Sequence, residues 1–294
     1  MKSKKNHHFY AMITIVFWSL AFVMTKIAMG HFNGYTLAFT RYFISFVAIV
    51  IFVVSYKISV PKPKDWIWFL LSGLLGFSFY TIVFNMGTSK VTSATSSLII
   101  ATVPVMTAFL ASFVYKEKLK LYQWLAIFVE LGGIAVLTLW NGVFSVNTGI
   151  FWLLLAAFSF SWYNLCQRHL LKIYPAMQCA AYGMICAMIL LSPWSVQAAK
   201  AVVGASWAEI GAVLVLALLC SVLAYMTWSK ALSIAEKTSY VTNYMFVTPF
   251  FAALWGFLLL GEVPDMGTFV GGIIIFCGLL LFNKESVLEI FHKK

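Results

Sequence analysis

Charge is what this chain has least of. Only 10% of its 294 residues are Asp, Glu, Lys or Arg, and nine of them are acidic. An ordinary soluble domain carries about 25% charged residues. Here 62% of residues are hydrophobic and the mean hydropathy is +0.93, more apolar surface than one core can hide, so the solvent is lipid. The scarcity also excludes chemistry. No aspartate falls within a long apolar run, and HExxH, GxSxG and Walker sequences are absent, which argues against an enzyme and against a bound cofactor. The five cysteines, at 166, 179, 186, 220 and 277, form no CxxC, and the five histidines lie in tails, a loop and a basic turn. Neither a disulfide framework nor a metal site follows, and the cysteines read as small packing residues.

What the chain has is long apolar stretches. A hydrocarbon core of about 30 Å needs roughly 20 residues per helix. By that measure ten candidate spans appear, at 9–30, 34–55, 66–87, 92–115, 121–140, 149–166, 175–193, 207–228, 239–260 and 266–283. The connections are too short for a second, soluble domain. The opening run lacks a small-residue cleavage site and is read as a retained first span. With the N-terminus inside, one face of the membrane collects most of the lysines, from Lys2, Lys4 and Lys5 to Lys293 and Lys294, while the other keeps Lys90 and Lys200. This asymmetry places both termini in the cytoplasm, in a cell (plasma) membrane protein. The net charge of +11 is thereby assigned to topology. Lysines scattered over short loops do not make a nucleic-acid surface.

A repeat is also present. "ATVPVMTAFLASFVYKEKL" at 101–119 and "FVTPFFAALWGFLLLGEVP" at 246–264 stand 145 residues apart, with Pro104 over Pro249 and Glu117 over Glu262. The same shift superposes Tyr80 on Tyr225, Ser93 on Thr238, Ser97 on Thr242 and Gly133 on Gly278. Five spans is an odd number, so the second copy enters the membrane from the opposite side. The expected fold is an all-α polytopic membrane protein, with ten transmembrane helices as two inverted five-helix repeats, residues 1–142 and 143–294. Inverted repeats build two nearly equivalent shapes, one open to each side, which is the basis of alternating access.

The stretch from Tyr80 to Ile134 with its echo at 225–279, "FWSLAFVMTKIA" at 17–28 and "TRYFISFVAIV" at 40–50 resemble the EamA-like transporters of the drug/metabolite transporter superfamily. The resemblance covers residues 9–283. Two departures are visible: the family's Gly-Glu is kept as Gly261-Glu262 but is Lys116-Glu117 in the first half, and its Trp-Gly is Trp18-Ser19. The resemblance implies a central cavity formed by spans 1, 3, 4, 6, 8 and 9, and export of small metabolites such as amino acids.

Residue types select the candidate substrate site. Ser93, Ser97 and Pro104 share one face of span 4, and Thr238, Thr242 and Pro249 share the matching face of span 9, with Ser239 and Asn243 beside them. Each proline frees the carbonyl four residues earlier, at Ile100 or Met245, and lipid tolerates a freed carbonyl only where protein or a wet cavity covers it. Trp18, Tyr80, Trp162, Tyr225 and Tyr244 supply aromatic walls, and Asn85, Asn164 and Asn243 face inward. Such a pocket suits a neutral or zwitterionic solute with an apolar body.

Three charges fall within spans. Lys26 and Arg41 lie toward outer ends, where they either snorkel or guard a mouth and hold a solute anion. Glu130 sits mid-span beside Gly132 and Gly133, leaving a proton-coupling role and a packing role both open. Gly267, Gly271 and Gly272 form a small-residue face suited to helix packing and to a homo-oligomer. The resulting expectation is a secondary active exporter of small neutral or zwitterionic metabolites in a lipid bilayer. The alternatives are a multidrug or cation exporter, which the lack of a carboxylate in the first span disfavours, and a passive channel.

Overall fold

The computed structural model describes residues 6–116, 118–140, 148–234, 241 and 243–285. Among them all regular secondary structure is helical, as lipid requires of a chain whose backbone groups must be satisfied within each segment. In chain order the apolar helices are α1 (His7–Ala28), α2 (Gly34–Ser55), α3 (Pro63–Thr88), α4 (Ser93–Val114), α5 (Leu121–Leu137), α6 (Thr148–Leu170), α7 (Ala176–Gly204), α8 (Trp207–Trp228), α9 (Thr248–Leu260) and α10 (Met266–Phe282). Seven of these are long and apolar enough to cross a membrane, and α5, α9 and α10 are shorter. Large apolar side chains such as Phe9, Ile51, Phe128, Phe151, Phe257 and Phe269 lie on the outside. So wide an apolar exterior suits lipid and would aggregate in water. The chain is an integral membrane protein.

Polar residues set where helices start. Asn33 Oδ1 accepts the Thr36 N–H at 2.9 Å while Thr36 Oγ1 accepts the Asn33 N–H at 3.1 Å, a capping box that opens α2. Thr92 caps α4 through the Thr95 N–H, and Asp265 caps α10 through the Thr268 N–H. Gly261, at φ +65°, ends α9 in the left-handed conformation that glycine adopts without strain.

Several helices depart from the regular α form. Residues Leu74–Ser78 of α3 and Val215–Leu223 of α8 are π-helical, and the 145-residue shift carries the first stretch onto part of the second. Pro104 breaks α4 into Ser93–Ile100 and Val103–Val114, and a 3-10 turn, Asn243–Val247, precedes Pro249 in α9. Much of the rest of the expected span 239–260 falls on residues 239, 240 and 242, outside the described residues. The seventh span reaches further than expected, to Gly204. Pro193 sits in a 3-10 turn, Ser192–Trp194, where its missing N–H is harmless, and Ser195–Gly204 continues as helix.

Glycines bring α5 and α10 into close contact. A Cβ on Gly133 would stand 2.6 Å from Ile275 Cγ1 and 2.9 Å from the Gly271 carbonyl, and one on Gly278 would stand 2.6 Å from Glu130 Cγ. Gly267 and Gly272 are filled likewise, by Trp140 and Leu98. These glycines serve packing within the chain, whereas a Cβ on Gly132 would meet no atom within 4 Å.

Candidate functional site

The polar and aromatic residues that face away from lipid converge between α1, α2, α3, α4, α6, α8 and α9. They enclose an inner chamber of about 80 Å³, lined among others by Trp18, Arg41, Tyr80, Ser97, Phe160 and Tyr225. A vestibule of about 600 Å³ adjoins it and runs to Arg168 and Lys172 at the α6–α7 end. Trp18, Phe160, Tyr225 and Met245 line both spaces, so the two adjoin across a shared wall. Helices α5 and α10 contribute to neither.

Aromatic contacts shape the chamber. Trp18 packs edge-on against Tyr225 at 5.3 Å between centroids and tilts against Trp228 at 5.0 Å. Tyr80 stacks on Phe84 at 5.5 Å and touches Phe160 at 4.9 Å. Ile100 and Met245, whose carbonyls lose a helical donor to Pro104 and Pro249, both line it. The two breaks therefore meet at one cavity.

Arg41 is the chamber's charge. It is 7% exposed and does not snorkel, because it lies two turns into α2 on the face that meets α8. Its Nε–H donates to Ser221 Oγ at 2.8 Å. Ser221 Oγ in turn donates to the Leu216 carbonyl five residues back at 2.9 Å, within the π-helical stretch of α8. The guanidinium carbon is 5.6 Å from the centre of the Tyr42 ring. Among the described residues, no acidic side chain lines the chamber or the vestibule.

Side-chain contacts cross the opposite end. Phe22 and Phe84 meet at 5.3 Å, and one turn further along α1 the ammonium of Lys26 pairs with Glu262. The other oxygen of Glu262 accepts the Ser93 N–H at 2.7 Å at the start of α4. This geometry is built locally. Gly261 turns the chain back so that the Glu262 N–H reaches the Gly256 carbonyl at 3.1 Å, and a Cβ on Gly256 would lie 2.7 Å from Glu262 Oε2. Beyond the pair is a polar recess of about 380 Å³ bearing Lys90, Thr92, Thr95 and Asp265.

Of the residues expected from sequence, Trp18, Arg41, Tyr80, Ser97 and Tyr225 come together at the chamber, and Pro104 and Asn164 at the vestibule. Asn164 Nδ2 donates to Thr107 Oγ1 at 3.1 Å. The others lie elsewhere. Asn85 is buried and donates to the Gly34 carbonyl at 3.1 Å, tying α3 to the start of α2. Trp162 packs with Phe158, and Pro249 is buried without lining either space. Tyr244 Oη stands 2.7 Å from His8 Nδ1 near the start of α1. Asn243 begins the 3-10 turn, and Thr242 lies outside the described residues. Glu130 is buried in the α5–α10 seam, its Oε1 without a partner. Tyr42, Phe160 and Gln167 join the site unannounced. Glu262 was marked by the repeat, though its pairing with Lys26 was not.

The profile of the EamA-like transporter family matches residues 6–139 and again 147–284. An uncharacterized transporter, YdfC, of Bacillus subtilis is 29% identical over 95% of this chain and 93% of its own. A probable terminal-alkyne amino-acid exporter of Streptantibioticus cattleyicolor is 27% identical over 94% of this chain and 92% of its own. An S-adenosylmethionine uptake transporter of Rickettsia prowazekii is 24% identical over 100% and 98%. One crystal structure superposes with a TM-score of 0.62 at 16% identity, covering 95% of this chain and 98% of that one, which shows a shared fold.

Proposed function

The chain belongs to the EamA-like transporter family, and on that premise we propose that it is a secondary active exporter of small neutral or zwitterionic metabolites working by alternating access. The observation that carries this reading is the asymmetry of the path. An aromatic chamber shares a wall with a wide vestibule at the Arg168 end, while toward the Lys26 end Phe22 meets Phe84 and Lys26 pairs with Glu262. In this reading ten helices form two inverted repeats, with both termini in the cytoplasm of a cell membrane. The lysine-rich vestibule end then faces inward, and the structure is an inward-open state with Lys26 and Glu262 as its outer gate. The chain catalyses no reaction of its own. A chamber with a buried cation and no described acid disfavours a carrier of organic cations.

Preloaded proteoliposomes test it. Ser97→Leu puts a branched side chain into the chamber on a helix that lipid tolerates well. It should cut solute flux at least about tenfold while insertion and yield stay normal, since a filled pocket removes the bound state. Normal flux through Ser97→Leu overturns the chamber as the path. Uptake is the second reading, favoured by the name of the Rickettsia relative; imposing the solute gradient in each direction in the same vesicles decides between them.

A further inference from the structure

A guanidinium that is 7% exposed in the middle of a membrane protein needs a counter-charge, because an ion removed from water is stable only when paired and hydrogen-bonded. The described acids are all engaged or placed elsewhere. Asp65 accepts from Tyr174, Glu209 bonds Ser206, Asp265 caps α10, Glu262 holds Lys26, Glu285 holds Lys120, and Glu130 lies in the seam. Ser221 takes the Nε–H alone, which leaves the two terminal NH₂ groups of Arg41, the pair whose fork geometry matches a carboxylate.

We propose that Arg41, held by Ser221, seats a carboxylate of the transported solute, which replaces the neutral part of the class proposed above with monocarboxylates that have an apolar or aromatic body, zwitterionic amino acids among them. The rest of the chamber fits that class. Trp18, Tyr80, Phe160 and Tyr225 offer ring faces and edges to the body, and Ser97 adds a hydroxyl. The seat also selects. A solute amide of the same shape leaves the guanidinium without its counter-ion, and an organic cation meets a like charge. Ser221 is a positioning residue: within the π-helical stretch of α8 its hydroxyl accepts the Arg41 Nε–H and donates to the Leu216 carbonyl.

This inference rests on the transport reading, and the two fail separately. Purified full-length protein would be titrated by calorimetry with matched pairs, acetate against acetamide up to 3-phenylpropionate against 3-phenylpropionamide, and with 2-phenylethylammonium. At least one carboxylate should bind roughly tenfold or more tighter than its amide, as a charge-assisted bond predicts, with the ammonium weakest. Arg41→Gln should bring each pair to near equality, and Arg41→Lys should keep part of the preference. Ser221→Ala should narrow the preference without removing it. The wild-type comparison needs no variant to fold. No carboxylate preference in any pair, or a preference undiminished in folded Arg41→Gln, overturns the seat. Flux in proteoliposomes without that preference sinks the seat and leaves the transporter standing. The preference without flux supports the seat and sinks the transport reading.

Discussion

Arg41 and Glu130 are both charges written inside apolar helices, and both are buried, at 7% and 3% exposed. Their surroundings differ completely. Arg41 borders open space walled by tyrosine and tryptophan, with a hydroxyl fixed on its Nε. Glu130 lies in a seam so tight that a methyl group on Gly278 would overlap its own side chain. Depth in the membrane therefore does not decide what a charge does. The volume beside it does, because a solute needs room as well as a partner. Lys26 is the intermediate case: it borders a recess, yet its counter-charge comes from the protein.

The contrast breaks if the seam tolerates bulk as the chamber does. Gly278→Leu places a branched side chain where 2.6 Å separates an added Cβ from Glu130 Cγ. Helices α5 and α10 would have to separate, and overpacking of this kind costs about 1–3 kcal/mol or more. The expected outcome is the largest here: a steep fall in detergent-stable yield and in melting temperature by scanning fluorimetry. Ser97→Leu, in the chamber wall, should melt close to wild type. Equal melting of the two variants would remove the distinction between seam and cavity.

A smaller effect sharpens the intermediate case. Glu262→Gln keeps the shape and the bond from the Ser93 N–H but loses the attraction to Lys26. The pair is partly exposed, at 18% and 13% for the two side chains, so screening limits its worth to about 1 kcal/mol. Opening at this end should rise several-fold, read as faster modification of a cysteine at Ser97 by a membrane-impermeant thiol reagent added from outside. Gly256→Ala, which crowds Oε2, should act in the same direction. Unchanged modification rates in both variants would show that Phe22 and Phe84 close this end without the ion pair.

How much of this could be read from the sequence follows from what each signal measures. Apolar length locates helices, and the paired prolines mark the carbonyls that lose their donors, so the meeting of Ile100 and Met245 at the chamber was legible while the 3-10 turn before Pro249 was not. The tyrosines at 80 and 225 were found because the repeat superposes them. Hydropathy does not register an i→i+5 hydrogen bond, so neither π-helical stretch was visible. Nor does a continuous apolar run say which way a residue faces. Trp162 and Tyr163 are neighbours about 100° apart on α6, and only Tyr163 reaches the vestibule. Phe160 is an ordinary apolar residue whose facing only packing decides. Arg41 was noticed as a charge, but the hydroxyl that takes its Nε–H is on Ser221, 180 residues away.

The smallest effect is expected at Glu130. An exporter working uphill needs an energy source, and one elementary charge moving through 100 mV supplies about 2.3 kcal/mol. At about 1.4 kcal/mol per tenfold ratio this sustains roughly a 40-fold gradient, so one proton per cycle would be enough. Glu130 lines neither the chamber, the vestibule nor the recess, and its neighbours across the seam are Gly278 and the helix that carries Ile275, the residue at the matching place in the second repeat. A proton bound there has no contact with a solute bound at Arg41. Glu130→Gln, nearly isosteric, should therefore keep accumulation driven by a pH gradient within about twofold of wild type, since interactions of distant, unconnected groups are close to additive. If Glu130→Gln still exchanges solute between equal pools but loses accumulation, the seam carries the coupling proton, and the division between a working chamber and a passive seam is wrong.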